Sequence, residues 1–206
     1  MLCLTRPTSS RWVDVALANL DRVLVDHAHC EMKAASNALS LAVRAAETPD
    51  VVAELVLLAE EELGHFRRVF AELERRAIPL GPPPPDDYAA ELRKAVRAHR
   101  AAKEGKRSPF VDALVDRLLV AALIEARSCE RFRLLADAMK GRGPADLGAF
   151  YEELLAAEAR HYRTFVDLAR RVAGPQANAV EARLLEVAHL EGEIAARLDD
   201  APAIHG

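Results

Sequence analysis

Ala59-Glu60-Glu61-Glu62-Leu63-Gly64-His65-Phe66 and, further along, Ala157-Glu158-Ala159-Arg160-His161-Tyr162 each hold a Glu-x-x-His inside a helical apolar pattern. Positions i and i+3 lie on one face of a helix, so each motif aims a carboxylate and an imidazole at one point. A single such pair is expected by chance in a chain of this composition, and a third occurs at Glu186-Val187-Ala188-His189. Helix face separates them. Glu62 shares its stripe with Leu55, Leu58, Ala59, Phe66 and Val69, and Glu158 shares its stripe with Tyr151, Leu154, Leu155, Tyr162 and Phe165. Glu186 sides instead with Arg183, Glu193 and Arg197, so Glu186 and His189 are expected at the surface.

Working outward, each motif pairs with one glutamate on the preceding helix. Glu31 lies in a stripe with Leu24, Ala28, Ala34, Ala35 and Ala38; Glu125 lies with Leu118, Ala121, Ala122, Cys129 and Phe132. Carboxylates on apolar stripes are costly to bury unless they are paired or coordinate metal. Glu31 stands 18 residues before Pro49 and His65 stands 16 after it; Glu125 and His161 each stand 18 from Gly143. The ligands of each hairpin therefore meet at a similar height. The rival Glu130 stands 13 before Gly143. At ~1.5 Å per residue it misses that level by about 7.5 Å, so Glu125 is the better candidate. His27, one turn before Glu31, could support it from outside the ligand set. The plainer expectation is an ordinary packed or exposed histidine.

Punctuation divides the chain into helices. Ser9 or Ser10 can cap a first helix running from about Arg11 to Ala46. Thr48-Pro49 suits the cap and first turn of a second helix, to about Ala77. Ile78-Pro79-Leu80-Gly81 and the prolines Pro82 to Pro85 make a stiff connector. A short helix is expected over about Asp87 to Gly105, then a third long helix from Ser108-Pro109 to about Lys140. After Gly141-Arg142-Gly143-Pro144 a fourth long helix runs to about Val172, and a C-terminal helix occupies about residues 176–198, with frayed residues beyond. Two long hairpins joined by a crossover of roughly 30 residues, at 78–108, are the plan of an all-α, ferritin-like four-helix bundle with additional flanking helices. The 206 residues are read as a single ferritin-like domain.

Four carboxylates and two imidazoles, Glu31, Glu62, His65, Glu125, Glu158 and His161, suit a pair of hard or borderline divalent ions, iron or manganese. With two M²⁺ the four carboxylates are neutralised, which makes burial tolerable. The composition excludes other classes. The net charge of −4 is mild, so any nucleic-acid surface has to be local. Cys3, Cys30 and Cys129 are few and widely spaced, and are read as reduced thiols. The start shows no signal-peptide apolar core, and no apolar run reaches the ~18 residues of a membrane span. The expectation is a soluble cytoplasmic protein. One stretch departs from the mild charge. Arg93, Lys94, Arg97, Arg100, Lys103, Lys106 and Arg107 fall within fifteen residues against a single acid, Glu104. A local phosphate contact has this look, as does a solvated amphipathic helix.

The segments Asp26-His27-Ala28-His29-Cys30-Glu31-Met32-Lys33-Ala34-Ala35, Ala59 to Phe66, and Ile124-Glu125-Ala126-Arg127-Ser128-Cys129-Glu130-Arg131-Phe132 resemble the MiaE family of di-iron tRNA hydroxylases. The resemblance runs in order along nearly the whole chain. It implies a non-haem di-iron monooxygenase hydroxylating the isopentenyl group of 2-methylthio-isopentenyl-adenosine beside the anticodon of tRNA. Dioxygen and electrons from a separate reductase would be required. It also implies that Glu31, Glu62 and His65 mainly hold one iron, that Glu125, Glu158 and His161 hold the other, and that Glu62 and Glu158 bridge. Arg93, Lys94, Arg97, Arg100 and Lys103 become candidates for tRNA phosphate contacts. The alternatives are a dimetal peroxidase or catalase acting on a small substrate, and a non-enzymatic iron-binding bundle.

Overall fold

The computed structural model describes residues 2–102, 109–198 and 201–205, apart from the side chains of 109–112 and 142. Its helices are α1 (Ser10–Ala18), α2 (Leu20–Arg44), α3 (Pro49–Arg75), α4 (Asp87–Ala101), α5 (Pro109–Arg142), α6 (Ala145–Ala173) and α7 (Val180–Leu198). A 3-10 turn over Gly174–Ala179 joins α6 to α7, and no strand occurs among the described residues. Helix α2 packs on α3 and α5 on α6, forming two hairpins that assemble into the bundle. The crossover helix α4 lies against α5 and α7. This is the ferritin-like plan expected above.

Local chemistry explains most boundaries. Ser9 caps α1, its hydroxyl accepting from the Arg11 amide at 3.2 Å. Asp86 caps α4 by accepting from the Ala89 amide at 3.2 Å. Thr48 occupies the cap position of α3, but its side chain makes no capping hydrogen bond; Pro49 follows as expected. Gly143 can carry no side chain without moving Met139, whose backbone lies 3.1 Å from where a Cβ would sit.

Two expectations fail. The first long helix is broken at Asn19, which adopts φ −136° and ψ 40°. Its side-chain Nδ2 donates to the Val15 carbonyl at 2.8 Å. A side chain that satisfies the backbone locally competes with helix continuation, so α1 and α2 are separate rods. The tail is also not frayed. Ile204 is fully buried, and its amide donates to Asp26 Oδ2 at 2.6 Å. Arg131 Nη1 donates to the carbonyls of Ile204 at 2.9 Å and Ala203 at 3.2 Å. Trp12 Nε1 donates to the Ala203 carbonyl at 3.2 Å. Two buried charges and an indole therefore hold a short segment that has little apolar pattern of its own.

The apolar core lies in two clusters on either side of the paired Glu-x-x-His motifs. One is built around Leu41, Leu55, Leu118 and Phe165, the other around Trp12, Leu24, Leu73 and Leu147. The polar layer between them is the candidate site.

Candidate metal centre

Glu31, Glu62, His65, Glu125, Glu158 and His161 are all buried, on α2, α3, α5 and α6. Ligand-type atoms of Glu62, His65, Glu158 and His161 lie within 4.8 Å of one another. Nδ1 of His65 lies 3.2 Å from Glu62 Oε2, 3.6 Å from Glu158 Oε1 and 3.7 Å from Glu31 Oε2. Nδ1 of His161 lies 2.9 Å from Glu62 Oε1 and 3.7 Å from Glu158 Oε2. Glu62 and Glu158 thus each turn one oxygen toward His65 and the other toward His161. Glu125, buried on α5, adds its carboxyl beside those of Glu158 and Glu62.

Whether these side chains fit metal ions is tested by their hydrogen bonding. Glu62 Oε1, Glu158 Oε1 and His161 Nδ1 are buried without a hydrogen-bond partner. The 2.9 Å approach of His161 Nδ1 to Glu62 Oε1 is close but misaligned for a hydrogen bond. Buried polar atoms are normally satisfied. Convergent lone pairs that do not satisfy one another form the arrangement a cation completes. The donor set, carboxylate oxygen with imidazole nitrogen, suits iron or manganese.

Electrostatics point the same way. Burial, then the neighbouring charges of Glu158 and Glu62, pushes the Glu125 carboxyl well above its usual range. Burial works against a charge on His65, but hydrogen bonds to Glu31 and Glu62 outweigh it and lift its pKa to about 10. His161 behaves alike: Glu158 and Glu62 overcome burial and lift it to about 12. Burial also opposes the charge on Glu31, yet His27 and His65 hold its pKa below the usual value. Without cations, protons supply the positive charge that this cluster demands.

The surroundings orient the clustered side chains. His27 is fully buried, with Nε2 2.7 Å from Glu31 Oε1. Its ring centroid lies 4.8 Å from that of Phe132 and 5.4 Å from that of Tyr151. It is the supporting partner of Glu31 rather than an unattached core histidine. Glu61, unmarked in the sequence except by the run Glu60-Glu61-Glu62, meets His161 Nε2 at 2.9 Å from the bundle surface. That contact directs His161 Nδ1 inward.

Glu130 is engaged elsewhere. It accepts from the Thr8 hydroxyl at 2.7 Å and pairs with Arg127. Arg127 also binds Glu191, which accepts from Tyr88 at 2.9 Å. His189 is exposed, and Glu186 pairs with Arg183 at 2.9 Å, as expected of the third motif. All three cysteines are free thiols.

An open-mouthed cavity reaches the cluster. Glu31, Glu125, Glu158 and His27 line its inner end, and half-buried Lys33, Asn37, Asp86 and Arg93 line its outer end. The docked tail contributes Ile204 and His205 to the wall. His205 Nε2 lies 2.8 Å from the Ser128 hydroxyl, and its ring stacks on Tyr88. Of the basic candidates, Arg93 stands at this mouth, and Arg97 and Arg100 line an adjoining cleft. Lys94 is exposed and lines neither cavity; Lys103 lies outside the described residues. No helix among the described residues is long and apolar enough to cross a membrane.

The comparisons with known proteins agree with this geometry. A solved structure from Synechococcus, described as Protein 43 with aldehyde deformylating oxygenase activity, superposes with a TM-score of 0.80 at 36% identity. The match covers 98% of this chain and 95% of that one. A Pseudomonas putida protein named tRNA 2-(methylsulfanyl)-N(6)-isopentenyladenosine(37) hydroxylase is 43% identical over 163 residues, which is 79% of this chain and 73% of the relative. A Salmonella typhimurium protein of the same name is 32% identical, with 91% of this chain and 82% of the relative covered. The family model for tRNA-(MS[2]IO[6]A)-hydroxylase (MiaE) matches residues 1–206, and the chain belongs to that family.

Proposed function

We propose that the protein is a cytoplasmic non-haem di-iron monooxygenase that hydroxylates the isopentenyl group of 2-methylthio-isopentenyl-adenosine in tRNA, beside the anticodon. In a chain of this family, the observation that carries the reading is the pose of Glu62 and Glu158, each with one oxygen toward His65 and one toward His161. Glu31, Glu62 and His65 would hold one iron and Glu125, Glu158 and His161 the other, with Glu62 and Glu158 shared. The same donor set also suits manganese as a substitute. When bound and reduced, the metal pair supplies the dioxygen chemistry that a side-chain set of carboxylates and imidazoles lacks.

Overall, the C–H bond, O₂, two electrons and two protons give C–OH and water. The electrons come from a separate reductase. The chain's own residues bind, orient and exclude. Glu61 and His27 fix the imidazole and carboxylate directions. Phe132, Ile124 and Ala121 give the cavity an apolar wall suited to a prenyl chain, while Asn37 and Arg93 at the mouth suit a polar nucleoside and its backbone.

The test uses iron-loaded protein, a chemical reductant, oxygen and tRNA bearing the modification, with the digested nucleosides read by mass spectrometry. One added oxygen on that nucleoside, absent with Glu62→Ala, is the expected result. No addition by protein carrying two irons per chain refutes the reading. A second reading, a dimetal oxidoreductase acting on a small substrate, draws on the likeness to the Synechococcus oxygenase. Turnover of a fatty aldehyde or of peroxide without tRNA would favour it.

A further inference from the structure

Beside the site cavity lies a second cleft, and the two share Asn37, Arg93 and Ile124 in their linings. Ile124 directly precedes Glu125, so this cleft abuts the metal layer. Its walls come from three helices: Asn37 on α2, Arg93, Arg97 and Arg100 on α4, and Arg117 on α5. Arg44, exposed at the end of α2, lies outside this lining. Arg117 lies outside the basic run of the crossover and is brought to it only by folding.

The charges here are not cancelled. Among the described residues, no carboxylate pairs with Arg44, Arg93, Arg97 or Arg117. The one acid lining the cleft is Asp116, which is buried and already taken. Arg183 donates to it from Nε at 2.7 Å and from Nη2 at 3.0 Å, and Arg100 lies 3.5 Å away. His99 Nδ1 in turn lies 2.7 Å from Arg183 Nη1. Burial, followed by the repulsion of Arg44, Arg97, Arg93 and Arg100, lowers the pKa of Arg117. Like charges held together, with Arg93 and Arg117 half-buried, cost stability unless an anion joins them. Guanidinium forks from several directions match the geometry of a phosphate.

We propose that this cleft is a phosphate seat: Arg93, Arg97 and Arg117 grip one backbone phosphate of the RNA while the attached nucleoside occupies the adjoining site cavity. The inference rests on the tRNA reading above and deepens it. It assigns to α5 a share of the recognition that the crossover alone does not supply. A nucleotide spans from base to phosphate by way of its sugar, and the shared residues Asn37 and Arg93 stand where that sugar passes. The seat fixes the register of the strand, so that only the nucleoside at the mouth reaches the metal layer.

The test measures binding of an unmodified anticodon stem-loop RNA by fluorescence anisotropy across a salt series. The probe does not depend on hydroxylation. Arg117→Gln and Arg97→Gln are each expected to weaken binding roughly tenfold and to flatten the log–log salt slope by about 0.7. Arg117→Lys should keep most of the slope, and Lys140→Gln, which alters a cation already paired with Glu152 at 3.2 Å, should match the parent. Removing a repelled charge should leave Arg117→Gln melting no lower than the parent, so that a loss of affinity is not a loss of fold. Affinities and slopes equal to the parent's would overturn the seat, and would do so even if the protein hydroxylates modified tRNA. Conversely, a parent that binds the stem-loop through these arginines yet hydroxylates nothing supports the seat and sinks the reading of the reaction.

Discussion

Replacing Ile204 by Ala tests whether the C-terminal segment is a structural part of the bundle. Ile204 is fully buried against the cluster that contains Trp12, Val23 and Phe132. Cutting a fully buried Ile to Ala costs about 2–4 kcal/mol, because the lost transfer energy adds to the cavity left behind. In a chain of this size each kcal/mol moves the melting midpoint by about 2–4 °C, so the metal-free protein should melt roughly 4–16 °C lower. Ending the chain at Pro202 should cost more, since Asp26 and Arg131 then lose backbone partners at 2.6 and 2.9 Å inside the core. His205 adds a pH signature. Its pKa is pushed down to about 4, chiefly by burial, from an ordinary 6.5. A depressed histidine resists protonation in the folded state, so its contribution to docking weakens as pH falls from 6.5 toward 4. The gap in midpoint between parent and truncated protein should therefore shrink across that window. Differential scanning calorimetry of metal-free samples reads both effects. A truncated chain that melts with the parent at pH 7 would refute the claim that the tail is docked.

Two further perturbations separate the ligand set from its supports. Glu125→Gln should raise the melting midpoint of the metal-free protein at neutral pH while weakening metal binding. The Glu125 carboxyl is raised above its ordinary 4.5, so its cost is absent below that value and grows as pH rises through it. The advantage of the variant should accordingly vanish near pH 4.5 in thermal melts; an advantage that persisted there would contradict the assignment of the cost. His27→Phe should keep the fold, because the ring sits between Phe132 and Tyr151. It should still lower metal affinity roughly 10–100-fold by leaving Glu31 unsupported. A competition titration against a chelator measures this, and parental affinity would show that the 2.7 Å contact does not tune the ligand.

Much of this architecture was legible because it is periodic. Glu62 and Glu158 are visible as acids interrupting apolar helical stripes, and the matched distances of Glu31, His65, Glu125 and His161 from the two turns put them at one height. The structure brings these six side chains into one buried layer. Periodicity is also why Asn19 went unseen. A polar residue on the outer face leaves the stripe intact, while its side chain quietly diverts the Val15 carbonyl from the helix ladder. The tail carried no periodic signal, because it is held by backbone groups meeting Asp26 and Arg131, and backbone groups are the same in every sequence. Arg117 was likewise invisible: it is a lone arginine on a long helix until the packing of α4 on α5 sets it beside Arg93 and Arg97.

The polar layer, the tail and the arginine cleft share one physical logic. Each gathers charges that destabilise the bare polypeptide and that a further component relieves. For the cleft that component is an external phosphate. For Asp26 and Arg131 it is the protein's own C-terminal backbone, already in place. For the carboxylates it is cationic charge, supplied by protons on His65 and His161 when metal is absent. The sign of that last substitution has a consequence. Histidines raised to about 10 and about 12 give stability that is fully present below their ordinary 6.5 and is lost only as pH rises through those raised values. At neutral pH, therefore, the imidazole protons stabilise the metal-free cluster. On the proposed reading, filling the site would release those protons together with any held by the raised Glu125 carboxyl. The same glutamates and histidines would thus serve the fold before metal arrives and coordinate it afterwards.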